Sequence, residues 1–195
     1  MVSQAVKRIY VEKKQGYNIE AQGIYNDLVE NLGIEGLEGL RVINRYDIAG
    51  ISGEEFAKSR SIIFAEPPLD RVFDEVLEIL PQDLVFAMEY LPGQYDQRAD
   101  SAAQCVQILT QKERPTIASA KVIIIKGHLS EEDFQRIKAY CINPVEAREA
   151  SLAKPESLES EAVIPPDVEI INCFIQKSPV ELKAFYSRNR FSDEL

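Results

Sequence analysis

The chain has 195 residues, of which 45% are hydrophobic and 28% are charged, and its net charge at pH 7 is -10. This acidic balance argues against nucleic acid or an anionic membrane as the main partner, because phosphate contacts need clustered Lys and Arg. No apolar run approaches the ~20 residues that span a bilayer, and the apolar stretch in Met1 to Val11 is too short for a signal peptide, so we expect a cytoplasmic protein.

The first half of the chain predicts a strand, a helix, a strand and a second helix. Alternating apolar and polar residues are typical of a half-buried strand, and apolar residues three and four apart are typical of a helix. The predicted elements are strands at Lys7 to Glu12 and Leu40 to Ile48, and helices at Ala21 to Leu32 and Ser52 to Glu66. Asn18 is the expected N-cap of the first helix and Gly33 its end, while Ser52 and Glu55 form a capping box for the second.

The second half predicts the same order of elements. The expected elements are strands at Leu84 to Tyr90 and Ala120 to Lys126, a helix with a small-residue apolar face at Ala99 to Leu109, and a helix opened by Ser130 and Asp133. Pro67 and Pro144 end the second helix of each half, because proline disfavours helix at the residue before it. The fold class is therefore α+β: a ferredoxin-like, mostly antiparallel sheet with helices packed on one face.

From Ala150 the composition shifts to proline, serine and acidic residues, which predicts an extended hydrophilic linker. Apolar residues then return and predict a short strand at Val168 to Ile175, followed by a helix that Ser178 caps, with Pro179 at its first position and Glu181 at its third. We expect one domain at residues 1–149, with halves at about 6–76 and 84–149, and a linker with a short strand and helix at residues 150–195.

The two halves also align with each other, which predicts an internal duplication. Val11 to Leu32 aligns with Met88 to Leu109, which places Glu12 over Glu89 and Gly16 over Gly93. Ser52 to Arg71 aligns with Ser130 to Arg148 when one gap is allowed, and Phe56, Pro67 and Arg71 then match Phe134, Pro144 and Arg148.

Residues that carry out catalysis are scarce in the sequence. Cys105, Cys141 and Cys173 form no CxxC pair, so we expect reduced, unreactive thiols. His128 is the one histidine in the sequence, and we expect a loop residue because no Cys or acidic residue stands at metal-ligand spacing from it. No P-loop, GxGxxG or HExxH pattern occurs. We predict no catalytic residue, no metal site and no bound cofactor in this chain.

The most unusual stretch is LPGQYDQRADSAAQCVQ at residues 91–107, where a Pro-Gly turn precedes a polar helix start. Its candidate site residues are Gln94, Asp96, Gln97, Arg98, Asp100, Ser101 and Gln104. Two interpretations remain open: a capped helix with a solvated polar face, or a helix that contacts an anion or a partner, since free N–H groups beside Arg98 suit a phosphate or carboxylate. The matching stretch of the first half, QGYNIEAQGIYNDL, is more ordinarily amphipathic, and this divergence favours a contact.

LPGQYDQRADSAAQCVQ, the preceding VFAMEY and the later YCINPVEARE resemble the N-terminal region of the large, single-chain phosphoribosylformylglycinamidine synthases. The similarity covers residues 6 to about 182. It implies a domain similar to a dimer of the small accessory subunit found in split forms of that enzyme, followed by a hydrophilic linker. It also implies purine biosynthesis as the context, with synthetase and glutaminase domains as partners and with ATP, magnesium and glutamine used by those domains.

This chain lacks the family's catalytic motifs, which lie in the synthetase and glutaminase regions. We therefore expect a scaffolding role without activity of the isolated chain, in which residues 92–107 face the synthetase active site and the path of ammonia. The alternative is a free-standing ferredoxin-like regulatory module that binds a small anionic metabolite.

Overall fold

The structure, a computed structural model, describes residues 5–158 and 174–188. They belong to two compact units that divide after residue 159. None of the described helices combines the length and the apolar character needed to cross a membrane.

The larger unit contains six strands and four helices. The strands are β1 Lys7–Lys13, β2 Leu37–Ala49, β3 Asp70–Asp74, β4 Leu84–Tyr90, β5 Thr116–Gly127 and β6 Ala147–Ala150. The helices are α1 Ile19–Asn26, α2 Gly53–Ser59, α3 Gln97–Thr110 and α4 Glu131–Cys141. Asp27–Asn31 continues α1 and Arg60–Phe64 continues α2, each as a turn of π-helix.

The strands form one sheet in the order β3-β1-β2-β5-β4-β6, and every neighbouring pair is antiparallel. The central pair, β2 and β5, extends from Leu37 opposite Gly127 to Ala49 opposite Thr116, with a shift of register between Leu37 and Gly39. At its open end Gly127 crosses so close to Gly36 that a Cβ on Gly127 would lie 2.1 Å from the Gly36 carbonyl oxygen. Only glycine fits that crossing.

All four helices cover one face of the sheet, and they do so crosswise. The apolar side chains of β1 and β2, among them Ile9 and Tyr46, pack against the α2 region and against Ala102 and Val106 of α3. The side chains of β4 and β5, among them Phe86, pack against α4 and against the α1 region. The first helix of each half therefore packs on the central strand of its own half, β2 for α1 and β5 for α3, and also contacts strands of the other half.

The opposite, helix-free face has its own apolar centre, in which Ile43, Ala87 and Ile124 are fully buried. Two crossing segments cover it instead of helices. Leu77, in the connection between β3 and β4, packs on this face, and residues 151–158 follow β6 across it, held by Arg8 and Arg45.

The predicted elements agree well with the observed ones, as does the α+β class with an antiparallel sheet. The Ser52–Glu55 capping box has both of its hydrogen bonds. Two details of the prediction are wrong. Asn18 occupies the N-cap position of α1 without capping it, because its Oδ1 accepts from Gly16 N instead. The Ser130 hydroxyl accepts from Asp133 N but then donates to the Asp133 carboxylate, so the reciprocal half of that box is missing.

The smaller unit contains a short 3-10 helix at Phe174–Gln176 and the helix α5, Pro179–Arg188. The predicted cap of α5 is confirmed, because Glu181 N donates to Ser178 Oγ and Ser178 N donates to Glu181 Oε2. The predicted strand is wrong at Phe174 and Ile175, which are in the 3-10 helix, and the remainder of that strand lies outside the described residues.

Candidate functional site

Asp96 fixes the start of α3 against the sheet. Its Oδ1 accepts from Ala99 N at 2.8 Å and from Ser119 Oγ at 3.0 Å, and its Oδ2 accepts from Ser119 N at 3.0 Å. The β4–β5 pairing ends at Lys121. Ser119 lies beyond this pairing, and its backbone N–H donates to the Asp96 carboxylate instead of to β4. Asp96 is therefore a helix cap and a strand partner in one side chain.

Arg98 extends from the first turn of α3 across the sheet, where its Nη1 donates to the Tyr46 hydroxyl at 3.3 Å. It forms no ion pair with a carboxylate among the described residues, whereas Arg41, Arg114 and Arg148 each do. A guanidinium has five N–H donors in a planar fork, so Arg98 keeps donors available for a further acceptor.

Asp100 lies on the outer side of α3 and is used within the domain. It accepts hydrogen bonds from Tyr95 Oη at 2.8 Å and Gln104 Nε2 at 2.9 Å, and it forms an ion pair with Arg114. The pKa of Asp100 is lowered most by the hydrogen bond from the Arg114 guanidinium and next by the hydrogen bond from the Tyr95 hydroxyl. This cluster is a surface brace between the two ends of α3.

The structure thus divides the predicted site residues into three groups. Asp96 and Arg98 point toward the middle of the sheet, while Asp100 and Gln104 belong to the surface brace. The remaining three are exposed, with no side-chain hydrogen bond to the described residues: Gln94, Gln97 and Ser101.

A groove, here called the central groove, runs over the middle of the sheet between the two pairs of helices. Its floor and walls are formed by Asn44, Tyr46, Arg98, Ser119 and Lys121. It widens into two hollows that share Asn44 and Arg98. The first, of about 270 Å³, reaches β1 and the π-helical turn of α2, and the second, of about 220 Å³, reaches β4 and the end of α4.

The charges in the groove are nearly balanced. Lys121 Nζ lies 2.5 Å from Glu20 Oε1 of α1, and in the first hollow Lys13 Nζ lies 2.9 Å from Asp70 Oδ1. Arg98, in the middle, is the cation without a carboxylate among these three. Glu66, Glu89 and Glu146 also line the two hollows. The groove therefore presents one guanidinium without an ion pair among several carboxylates, which suits binding of a polar group.

Nucleophilic chemistry has little support in the groove. Cys141 lines the second hollow, and burial raises the pKa of its thiol to about 11, so the thiol is protonated at neutral pH. His128 lies in the loop after β5, as expected, and its backbone N–H donates to Gly36 O. No group of three or more metal-binding side chains occurs in the part of the chain that the structure describes.

The sequence did not identify the sheet side of this groove. Asn44, Tyr46 and Lys121 lie within the predicted strands, and Ser119 directly precedes one of them, but none of the four is a predicted site residue. One signal was present: Ser119 and Lys121 are polar residues on the face of β5 that carries Ile117, Ile123 and Ile125 into the helix-side cores. Polar residues on the buried face of a central strand indicate a place where helices leave the sheet uncovered.

The chain matches no known protein-family profile and no curated protein sequence. The resemblance carried by residues 85–107 and 140–149 therefore rests on those residues themselves.

Proposed function

We propose that this chain is a non-catalytic, N-terminal scaffolding domain of a phosphoribosylformylglycinamidine synthase. That enzyme family converts formylglycinamide ribonucleotide to formylglycinamidine ribonucleotide with ATP and glutamine. The observation that carries the proposal is Arg98, the basic residue of LPGQYDQRADSA, which lies in an open groove without a carboxylate partner. The domain would use this groove against the synthetase and glutaminase domains.

The sheet supports the idea of a duplicated domain that is similar to an accessory-subunit dimer. Its strand order, β3-β1-β2-β5-β4-β6, is symmetric about the central pair. Asn44 lies opposite Lys121 in that pair, and these two positions are also equivalent in the alignment that places Glu12 over Glu89. A local two-fold axis would therefore pass between them.

The two hollows of the central groove support the same idea. In the alignment of the halves, Val11 corresponds to Met88 and Glu66 to Asn143. Val11 and Glu66 line the first hollow, and Met88 and Asn143 line the second. Asp70, paired with Lys13 in the first hollow, corresponds to the apolar Ala147 in the second. The two equivalent hollows would thus have diverged at this position, from a carboxylate to an apolar side chain.

The gap between Ser52 and Arg71 in that alignment also has a physical counterpart. Ser52 to Arg71 is one residue longer than Ser130 to Arg148, and α2 ends in a π-helical turn at Arg60–Phe64, whereas α4 has none. A π-helical turn holds about one residue more than an α-helical turn, so it accommodates an insertion without shifting the residues after it. The π-helical turn at Asp27–Asn31 has no such explanation, because the alignment there has no gap.

A partner surface explains the groove better than a small anionic ligand does. Glu20 and Asp70 already neutralise Lys121 and Lys13, so the groove lacks the cluster of free cations that a phosphate prefers. Ammonia released by a glutaminase must be kept from water, and a polar surface that closes against another domain is suited to that purpose. In this proposal, α3 contributes part of that surface.

The test is the Arg98→Ala variant in an intact synthase that carries this domain. Loss of one hydrogen-bonded charge contact is expected to lower glutamine-dependent turnover by roughly tenfold. The matched control is Asp100→Ala, on the outer side of the same helix, which is expected to retain turnover. If glutamine-dependent and ammonia-dependent turnover both stay at the wild-type level in the Arg98 variant, the proposed role is wrong.

The isolated 195-residue chain provides a second test. It is expected to show no glutamine-dependent release of ADP, and such release would refute a purely scaffolding role. Micromolar binding of a purine precursor by the isolated chain, without affinity for synthetase or glutaminase domains, would instead favour the free-standing regulatory module.

A further inference from the structure

Residues 151–153, directly after β6, are held on the helix-free face by two buried arginines. Arg8 Nη1 donates to Leu152 O at 2.8 Å and Arg8 Nη2 to Ala153 O at 3.2 Å, while Arg45 Nη1 donates to Ser151 O at 2.7 Å. Three successive carbonyl groups thus accept from two guanidinium groups. The contact uses backbone acceptors, so the composition of this segment gives no sign of it.

The two arginines share a single carboxylate. Arg8 forms a bidentate pair with Asp47, with Nε 2.5 Å from Oδ1 and Nη2 2.8 Å from Oδ2, and Arg45 Nε lies 3.4 Å from Oδ2 without a hydrogen bond. Arg8, Asp47 and Arg45 are only 2%, 3% and 5% exposed. Burial of more cations than anions is costly, and the three carbonyl oxygens supply the missing acceptors.

A second contact joins this segment to the other crossing segment. Glu75 Oε1 accepts from Arg8 N at 3.2 Å, and Glu75 Oε2 accepts from Lys154 Nζ at 2.6 Å. Glu75 adopts a positive φ of 61°, which is uncommon for a residue other than glycine. The unusual backbone places its carboxylate between β1 and residue 154.

Few apolar contacts hold the segment down. The residues from Ser151 to Lys154 are exposed, and Leu152 retains 42% of its accessible surface. When such a segment lifts, water can reach the two guanidinium groups, while the sheet keeps its backbone pairing and its helix-side cores. Segments with few buried apolar contacts open at a lower free energy than the core does.

We propose that residues 151–154 form a latch that opens separately from the sheet, and that Arg8 and Arg45 are the positioning residues that close it. In the closed state the chain leaves the sheet above β1 and β2. In the open state it leaves from the end of β6, at the edge. Four strand spacings separate β6 from β1, so opening moves the point of departure by roughly 19 Å.

Native-state proteolysis of the 195-residue chain tests the latch. Thermolysin cuts on the amino side of leucine, so cleavage between Ser151 and Leu152, followed by mass spectrometry, reports an open latch. In the wild type, cleavage is expected to proceed at a rate that does not change with urea below the unfolding transition, since local opening exposes little surface. A cleavage rate that rises with the full urea dependence of global unfolding would show that the segment opens only with the sheet, and would overturn the proposal.

Arg45→Met is the informative variant, because it removes one carbonyl contact and leaves Asp47 paired with Arg8. Cleavage at Leu152 is expected to accelerate by about tenfold, the change that loss of one hydrogen bond to a charged group produces. Arg45→Lys, which keeps the charge, is expected to restore part of the protection. Arg41→Met is the matched control: Arg41 also lies in β2, pairs with Glu12 and contacts Glu78 O of the other crossing segment. Equal acceleration at Leu152 in the Arg41 and Arg45 variants would contradict the assignment.

Discussion

Asp96→Ala is the substitution that best separates a structural role from a surface role in the polar start of α3. The Asp96 carboxylate caps Ala99 N and accepts from both the backbone and the hydroxyl of Ser119. Loss of an N-cap costs about 1 kcal/mol, and a backbone N–H left without an acceptor costs about 1–3 kcal/mol. The expected loss of unfolding free energy is therefore about 2–4 kcal/mol.

Thermal unfolding followed by circular dichroism measures this loss. For a domain of this size, each kcal/mol lowers the midpoint by about 2–4 °C, so Asp96→Ala is expected to unfold about 4–16 °C below the wild type. Asp100→Ala is the control, four residues further along the same helix. Its ion pair with Arg114 lies at the surface, where water and salt screen it, so the midpoint should change little. Equal midpoints for the two variants would refute the assignment of Asp96 as the anchor of α3.

Three further outcomes are expected. Gly127→Ala should lower the urea midpoint strongly, because the alanine Cβ would clash with the Gly36 carbonyl oxygen. Gly23→Ala is the control: this position lies in open space within α1, so the substitution should raise the unfolding free energy by about 0.5–1 kcal/mol. Equal effects of the two variants would contradict the close crossing. Hydrogen bonds from Lys112 and, to a smaller extent, from Ser52 lower the pKa of Glu55 from its ordinary value of 4.5 to about 2. The stabilising effect of the ionised Glu55 is therefore complete above pH 4.5 and is lost as the pH falls toward 2. Glu55→Gln should therefore flatten the fall in stability measured across that range, and an unchanged pH profile would count against it. In iodoacetamide labelling at pH 8 with peptide mapping, Cys141 should react at least tenfold more slowly than the exposed Cys105. The reason is that each unit by which burial raises the pKa of Cys141 lowers its thiolate fraction about tenfold. Comparable rates would show that burial does not protect the Cys141 thiol.

The elements of the fold were predictable because periodicity and capping are local. Alternation predicts β1 and an apolar run predicts β4, both nearly to the residue, and the Ser52 and Ser130 caps mark α2 and α4. The π-helical turns were not predictable, because a one-residue change in hydrogen bonding leaves the apolar spacing almost unaltered. The crosswise packing of the helices was also hidden, since it depends on contacts between distant parts of the chain.

The site was predictable only on the side of α3. The polar stretch identified Asp96 and Arg98, but their partners are Ser119, 23 residues away, and Tyr46, 52 residues away. Long-range partners of this kind leave no local pattern. The segment after β6 shows the opposite error, because its serine- and proline-rich composition indicates a linker, while its backbone carbonyls are held by arginines that strand periodicity treats as ordinary polar positions.

The crosswise helix packing has a consequence for how this chain becomes folded. When only residues up to about 76 have been synthesised, part of the apolar surface of β1 and β2 is uncovered, because Ala102 and Val106 of α3 have not yet been made. Its own α1, through Leu28, shares a core with Leu37 of β2, but the rest of that core, including Phe86 and Ile123, belongs to strands that are still to come. Folding is therefore concerted and dominated by contacts between residues far apart in sequence, which slows it. Two separately expressed halves would be unfolded alone and would acquire structure only on mixing, as mutually dependent fragments.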